Sequence, residues 1–301
     1  MANPDLSTLT SAFVEFGGKI FMKNVNDADF MSTKDGIMVY KNCNKPIALP
    51  KLSAVGGPRP YRSQDDTSGN GLKFSDRTLT AYNSKWDMDF DPEEYRNKYL
   101  NDGTDMPFWK YCVEQFTKEY LASINDNTAY LGSYNSSGST PAAIATGWGT
   151  TIAAEITATN LTAVVTGAIT TGNAVEKVEL VAKDPQVKPW MRKQGIIVMV
   201  SYDVFDKFIS RYRTLNGYAF NPNVNGDYKI DGLNAVIRPC TWMGTSQRII
   251  VTVANNLCVG VDKDQVRVAA TARRNVIEAR PMFAVGFEIA DLEAIVVNDQ
   301  A

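Results

Sequence analysis

The chain has 301 residues, of which 44% are hydrophobic and 21% charged, and its formal net charge is -2. This length and composition are typical of a globular protein with one large domain or two smaller ones. The balanced charge excludes a global basic field for nucleic acid, and the absence of histidine excludes Ser-His and Cys-His nucleophiles, an imidazole base and the commonest zinc ligand.

The cysteines and the apolar runs narrow the class of protein further. Cys43, Cys112, Cys240 and Cys258 show no C-x-x-C spacing, so we expect four reduced thiols. The first residues lack the basic and apolar regions of a signal peptide, and runs such as Ile196–Val200 are too short to cross a bilayer. The sequence therefore predicts a protein that is not an enzyme, with no cofactor, no metal and no membrane contact.

In chain order, the sequence first predicts an arm and then a long hairpin. Residues 1–34 are mixed in character, while residues 35–91 begin with the strand-like "GIMVYKN" and end with "LTAYNSKWDMDFD". The Gly- and Pro-rich stretch between them, "PKLSAVGGPRPYRSQDDTSGNG", cannot bury a core. A hairpin of this kind gains little stability alone, so we expect it to lie on another subunit.

Four side chains of this segment are the candidate inter-subunit contacts. Arg59, Arg62 and Lys73 give the hairpin tip a positive charge that would dock on an acidic neighbour, and Trp86 lies on the returning strand.

Three aspartates near Trp86 imitate the start of a calcium-binding loop. Such a loop requires Gly at its sixth position and Glu at its twelfth, where this chain has Pro92 and Lys98. A strand with Trp86, Met88 and Phe90 on one face and the aspartates in water explains the pattern better. We therefore predict no calcium site.

The strongest helix pattern spans residues 105–125, with Asp105 as a cap and Pro107 in the first turn. Its apolar stripe predicts the helix around which the main body packs. The stripe consists of Phe108, Trp109, Cys112, Val113, Phe116, Tyr120, Leu121 and Ile124.

Residues 135–175 are rich in Ala, Thr, Gly and Ser and mark the clearest change of composition. Gly147 and Gly149 flank a tryptophan here, but no Lys-Ser/Thr follows, so this is not a phosphate-binding loop. We expect a transition between two parts of the fold.

Alternating helix and strand patterns follow this transition. Asn173 and Glu176 predict a capping box, "GIIVMV" predicts a buried strand, and Ser201 predicts the cap of a second helix. The stretches "YKIDGLNAVIRP" and "SQRIIVTVA" read as strands, and the last two long strands form a hairpin that turns near residues 275–281. The inward positions of the second helix are Val204, Phe205, Phe208, Ile209 and Tyr212, and the shared face of the last strand carries Phe283, Val285, Phe287 and Ile289.

This order of parts resembles the Hong Kong 97-type major capsid proteins of tailed phages. The stretch "KPWMRKQGIIVMVSYDVFDKFISRYR" is similar to the strand that leads into a helix in the axial domain of that family. The stretch "IDGLNAVIRPCTWMGTSQRIIVTVANNLCVGVD" is similar to the end of that domain. Its matching residues are Gly232, Val236, Pro239, Met243, Gly244, Asn256, Leu257, Gly260 and Asp262.

The resemblance implies an α+β fold of the Hong Kong 97-like capsid type. Residues 1–34 would be the N-terminal arm and residues 35–92 the extended loop. Residues 93–135 and 262–301 would form the peripheral domain with its spine helix and sheet, and residues 136–261 the α/β axial domain. The final strand would then close a sheet under the spine helix.

The resemblance also implies a function. The chain would be the major capsid protein that self-assembles into the icosahedral shell around the double-stranded DNA genome of a tailed phage. The alternatives are an encapsulin-type shell that encloses a cargo enzyme, which shares the fold, and an enzyme that uses carboxylates and tyrosines. The implied partners are copies of the chain in pentamers and hexamers, a separate scaffolding protein, a portal, decoration proteins and, non-specifically, packaged DNA. The implied location is the virion capsid, assembled in the cytoplasm of a host bacterium.

Overall fold

The computed structural model describes residues 10–11, 14, 19–20, 23–24, 27–54, 72–91, 108–217, 223–224, 227–230, 232–273 and 276–300. The helices are α1 (Phe108–Asn127), α2 (Trp148–Thr157), α3 (Ala174–Ala182), α4 (Pro189–Gln194) and α5 (Tyr202–Asn216). The strands are β1 (Ile37–Tyr40), β2 (Ile47–Ala54), β3 (Leu72–Leu79), β4 (Tyr82–Lys85), β5 (Met88–Phe90), β6 (Ile196–Val200), β7 (Asn223–Val224), β8 (Asp227–Lys229), β9 (Ala235–Pro239), β10 (Ile250–Thr252), β11 (Leu257–Arg273), β12 (Val276–Ile289) and β13 (Ile295–Val297).

A five-stranded sheet in the order β1-β11-β12-β4, with β5 also on β12, forms one half of the body. Tyr120 and Ile124 of α1 belong to the same buried core as Phe283 and Val285 of β12, so the long helix lies on this sheet. The sequence predicted one shared face for four residues of the last long strand. This prediction is confirmed, because Phe283, Val285, Phe287 and Ile289 are all buried.

A six-stranded sheet in the order β13-β10-β6-β9-β8-β7 forms the other half. Strands β6 and β9 are parallel and β6 leads directly into α5, as expected for a helical crossover between parallel strands. A second core joins Val178 of α3 and Phe208 of α5 to Val198 of β6. Within the described residues, no helix combines the length and the hydropathy needed to cross a membrane.

The hairpin is shorter than the sequence predicted. Strand β1, which contains most of "GIMVYKN", does not pair with the returning strand but lies parallel to β11, with Ile37 opposite Leu257. Strands β4 and β5 likewise join β12, so the two-stranded hairpin consists of β2 and β3 alone. The alternation of apolar and polar residues predicted these strands correctly. It could not specify which strands pair, because tertiary contacts bring the partners together.

The end of the chain also differs from the prediction. Residues 295–297 were expected in the sheet under the long helix, but β13 pairs with β10 in the six-stranded sheet. The change of sheet occurs at Asp291, whose side chain accepts a hydrogen bond from the backbone N–H of Glu293 and begins the 3₁₀ turn Leu292–Ala294. Strands β11 and β12 pair as far as Arg273 opposite Val276, and Pro281 is inside β12, so strand pairing occupies residues 276–281, where the sequence placed the turn.

Three helix caps were predicted: Ser201 is confirmed, Asn173 is wrong, and Asp105 lies outside the residues that the structure describes. The Ser201 hydroxyl accepts from the Val204 N–H at 3.3 Å, as an N-cap does. Asn173 forms no capping bond to α3, because its Oδ1 accepts from the Thr170 N–H instead. Glu176 points away and binds Arg211 of α5, so no capping box forms.

We expect Ser201→Ala to lower the free energy of unfolding by about 1–2 kcal/mol. The buried hydroxyl caps α5 and also donates to the Ser246 carbonyl at 2.7 Å, and alanine removes both bonds. Urea denaturation followed by circular dichroism measures the change. Ser210→Ala on the exposed side of the same helix is the matched control, with an expected change within about 0.5 kcal/mol; equal losses in the two variants would contradict the capping role.

Helix α2 was not predicted as a helix. Trp148 is fully buried and its indole N–H donates to the Glu288 carbonyl at 3.1 Å. A Cβ on Gly149 would lie 2.6 Å from the Tyr130 ring, so glycine allows this ring to approach the helix. The pair of glycines around Trp148 therefore serves close packing, in keeping with the rejection of a phosphate loop.

Candidate assembly surface

The hairpin is the part of the molecule that extends from the two sheets. Strands β2 and β3 pair from Ile47 opposite Leu79 to Ala54 opposite Leu72, in a two-stranded sheet of their own. An isolated ribbon of this kind offers unpaired backbone groups along its outer edges, which are available to another chain. How its base is held therefore decides where it points.

The base of the hairpin crosses the five-stranded sheet at two glycines, Gly260 and Gly286, which face each other on β11 and β12. We call this pair the glycine saddle. A Cβ on Gly286 would lie 2.0 Å from the Thr80 carbonyl oxygen, and a Cβ on Gly260 would lie 3.1 Å from the Leu79 side chain. Only glycine allows the backbone after β3 to approach this closely.

Arg77 fixes the hairpin base to helix α2 and to strand β12. Its Nη1 lies 2.6 Å from Glu155 of α2, and its Nη2 lies 2.8 Å from Glu288 of β12. All three side chains are mostly buried, with 24%, 16% and 18% of their area exposed. Burial raises the pKa of Glu155, but hydrogen bonds from Asn160 and Arg77 outweigh it, so the pKa is lowered and the carboxylate stays ionised.

Lys51 forms the second attachment, on the other hairpin strand. Its Nζ lies 2.7 Å from both Asp291 and Glu293, at the turn that leads into β13. Glu293 also binds Lys188, the residue before α4. Hydrogen bonds from Lys188 and Lys51 lower the pKa of Glu293 to about 2. The hairpin is therefore held by opposite charges at two points on separate elements.

We expect acid to weaken the Lys51 attachment. The pKa of Glu293 is about 2 in the folded chain and about 4.3 in an unfolded one, so its contribution is complete above about pH 4.3 and is lost as the pH falls towards 2. Denaturation of the natural chain and of Glu293→Gln, measured between about pH 6 and 2.5, tests whether the contribution of Glu293 to stability falls with pH. The stability difference between the two should shrink as the pH falls, and a difference independent of pH would contradict the role of the carboxylate.

The four predicted contact residues do not form one cluster among the described residues. Arg59 and Arg62 lie outside the residues that the structure describes. Lys73 lies near the far end of β3, with its backbone opposite Ser53. Trp86 follows β4 on the body itself, 37% exposed, with its ring stacked on Tyr120 of α1 at a centroid distance of 6.0 Å.

The residues that anchor the hairpin were missed by sequence reasoning. Nothing in the local pattern distinguishes Arg77 from other exposed arginines, because its two partners are 78 and 211 residues away. Gly286 did carry a signal, since a glycine inside a strand marks a close backbone approach. The three aspartates around residues 87–91 serve ordinary roles where they are described; Asp87, for instance, pairs with Lys85 and Arg280.

The cysteines and carboxylates of the described residues are not arranged as a metal site. The Cys, Asp and Glu residues there form no group of three that could hold a metal ion. All four cysteines are free and buried, and burial raises the pKa of Cys112 and of Cys258 to about 12. Such thiols are not nucleophiles near neutral pH.

Comparison with known proteins gives no sequence relative but several structural ones. No protein-family model matches the chain, and no curated protein matches it. A chain of the satellite phage P4 procapsid, whose structure includes the size determination (Sid) protein, superposes with a TM-score of 0.57 at 12% identity, over 99% of this chain and 91% of that one. A chain from the capsid of Myoviridae phage XM1 superposes with a TM-score of 0.55 at 14% identity, over 90% and 92%.

The chain has the Hong Kong 97-type capsid fold. A chain of Gordonia phage Cozz, at 9% identity, also superposes with a TM-score of 0.53 over 88% of this chain and 85% of that one. Strands β2 and β3 lie within residues 35–92, the segment expected from the sequence to be the extended loop, and α1 lies within residues 93–135, expected to be part of the peripheral domain. Helices α3, α4 and α5 lie within residues 136–261, the segment expected to be the axial domain. The fold class expected from the sequence is confirmed.

Proposed function

We propose that this chain is the major capsid protein of a tailed phage, which self-assembles into an icosahedral shell around double-stranded DNA. The observation that carries the proposal is the fold, which extends over 99% of the chain in the match to the P4 procapsid and over 90% in the match to the XM1 capsid. A fold alone does not determine a function, so the surface must support it.

The anchored extended loop supports an assembly role. Arg77 and Lys51 fix it to the chain's own body, while its two strands form a sheet of their own that joins neither larger sheet. A projecting ribbon with a fixed base and open edges adds contact area between repeated copies without first having to fold. The buried, unreactive thiols are consistent with a structural protein that is not an enzyme.

The proposed function implies several partners. Copies of the chain would form pentamers and hexamers, a separate scaffolding protein and a portal would direct assembly, and decoration proteins would bind outside. Contact with packaged DNA would be non-specific and made by scattered basic side chains. Arg59, Arg62, Lys73 and Trp86 stay proposed inter-subunit contacts, and the domain boundaries stay proposals. The proposed location is the virion, after assembly in the bacterial cytoplasm.

Expression of the chain alone and together with its proposed scaffolding protein, followed by electron cryo-microscopy, tests the proposal. We expect closed shells with five-fold and six-fold clusters of this chain. A product that stays monomeric under all assembly conditions, with the scaffold present, would overturn it. The contents of shells purified from the natural source separate the two shell functions, because a capsid contains genomic DNA and an encapsulin-type compartment contains a cargo enzyme.

A further inference from the structure

The outer side of helix α5 borders an amphipathic cleft of about 350 Å³ next to strand β8. The rings of Phe205 and Tyr228 meet edge to face there, with centroids 4.9 Å apart. Six side chains line the cleft: Phe205, Asp206, Ile209, Ser210, Arg213 and Tyr228. We call the apolar lining residues, Phe205, Ile209 and Tyr228, the floor of the cleft and the charged ones, Asp206 and Arg213, its rim. Apolar side chains beside a few charged ones are common in sites that receive another surface.

The two charged side chains of the rim have no ionic partner in the described part of the chain. The neighbouring charges of the same helix are paired, because Lys207 binds Asp203 and Arg211 binds Glu176. Asp206 and Arg213 form no such pair among the described residues. Among the described residues, this cleft is therefore the place on α5 where charged side chains lack an ionic partner.

The opposite edge of the same sheet presents a complementary feature. Val164 pairs with the free edge of β13. Its N–H donates to the Val297 carbonyl at 2.8 Å, and its carbonyl accepts from the Asp299 N–H at 2.9 Å. The next residue, Val165, is 79% exposed. We call residues 164–167 the edge strap; it is the outermost segment on this side of the six-stranded sheet.

The edge strap is held rigidly by one carboxylate. Asp299 Oδ1 accepts from the Thr166 N–H at 2.9 Å, from the Thr166 hydroxyl at 2.9 Å and from the Gly167 N–H at 3.3 Å. The hydrogen bond from the Thr166 N–H is the main reason why the pKa of Asp299 is lowered to about 2. The strap thus presents an apolar side chain beside a carboxylate that is ionised at neutral pH.

We propose that the α5 cleft of one copy receives the edge strap of a second copy, with Val165 over the apolar floor and Asp299 beside Arg213. The inference rests on the proposed capsid function and names one of its contacts. The cleft lies near the β7 edge of the six-stranded sheet and the strap lies at the β13 edge, so the contact would join different surfaces of two copies. A contact between different surfaces of identical copies is head-to-tail, and it closes into a ring when the rotation between copies closes, as the proposed pentamers and hexamers require.

Engineered cysteines test this contact in assembled particles. The double variant Val165→Cys with Ser210→Cys places one thiol on the strap and one in the cleft, and the four natural cysteines are buried. Treatment with a short bismaleimide is expected to link successive copies into a ladder of covalent oligomers, of which the largest is the complete ring. An equal mixture of the two single variants should give dimers only, and each single variant alone should give monomers.

Matched controls separate this contact from general crowding. Leu131→Cys is similarly exposed, at 68%, and with Ser210→Cys should give no ladder. Arg213→Glu brings two carboxylates together and should lower the particle yield about tenfold or more, whereas Lys193→Glu, the same charge change elsewhere, should not.

Three outcomes would overturn the inference. Normal particles of the double variant without cross-links would exclude the contact and leave the capsid function intact. A cross-link from the cleft to a different protein, such as the scaffold, would assign the cleft to that partner. A chain that never assembles would overturn both the contact and the capsid function.

Discussion

Gly286→Ala is expected to destabilise the chain by about 3 kcal/mol or more and to abolish shell assembly. The added Cβ would lie 2.0 Å from the Thr80 carbonyl oxygen and 2.7 Å from the carbonyl carbon. Because both atoms belong to the backbone, no rotamer change relieves the overlap. The extended loop must lift from the glycine saddle, which also displaces Arg77 from its two carboxylates.

Two other glycines provide a graded comparison for Gly286→Ala. Gly172→Ala should be neutral or slightly stabilising, because its Cβ would meet nothing closer than 3.8 Å. Gly260→Ala should have an intermediate effect, since its nearest neighbours, at 2.9–3.1 Å, are the Cys43 sulfur and the Leu79 side chain, both of which can move. Urea denaturation gives the ranking, and hydrogen exchange at residues 72–85 reports the loop directly. Equal midpoints for the three variants would show that the saddle does not constrain the loop.

Arg77→Ala is expected to cost about 3 kcal/mol and to free the base of the extended loop. The main cost is not the lost attraction. It is that Glu155 and Glu288, whose side chains are 16% and 18% exposed, would face each other without a cation. Arg77→Lys should recover only part of the loss, because an ammonium cannot reproduce the separate bonds of Nη1 and Nη2 to two carboxylates.

A mutant cycle identifies this mechanism. In the Arg77→Ala variant, replacing Glu155 and Glu288 by Gln should restore stability, although it adds two substitutions. Lys183→Ala, which removes an exposed pair with Glu179 on α3, should change stability by no more than about 0.5 kcal/mol. If the triple variant is less stable than Arg77→Ala alone, the buried charges are not the cause.

Elements with strong local signals were predictable from the sequence. Helix α1 follows from periodicity, β6 from its short apolar run, and α5 from periodicity together with a serine cap. Helix α2 was missed because its Gly, Thr and Ile residues are weak helix formers, and this helix depends on the burial of Trp148 in tertiary contacts. Strand β13 was assigned to the wrong sheet because single charged residues interrupt the apolar run there, and they do not by themselves reveal the turn that Asp291 begins.

The candidate surface was predictable only in outline. A glycine-rich and proline-rich ribbon between two strands indicated a projecting loop, and its flanks were real strands. The anchors were not predictable, because Arg77 and Lys51 bind residues that the fold brings together from distant parts of the sequence. Arg59 and Arg62 stay predictions, and the edge strap carried no sequence signal at all.

The placement of β13 has a consequence for the timing of synthesis. Residues 250–252 and Val164 both pair with the segment that contains β13. Ile250 pairs with Val297, so the ribosome makes β13 more than forty residues after β10. A nascent chain therefore keeps the β10 edge of its six-stranded sheet without its neighbour until residues 295–299 have emerged from the ribosome. This sheet is completed only after β13 has been made, however early its other strands pair.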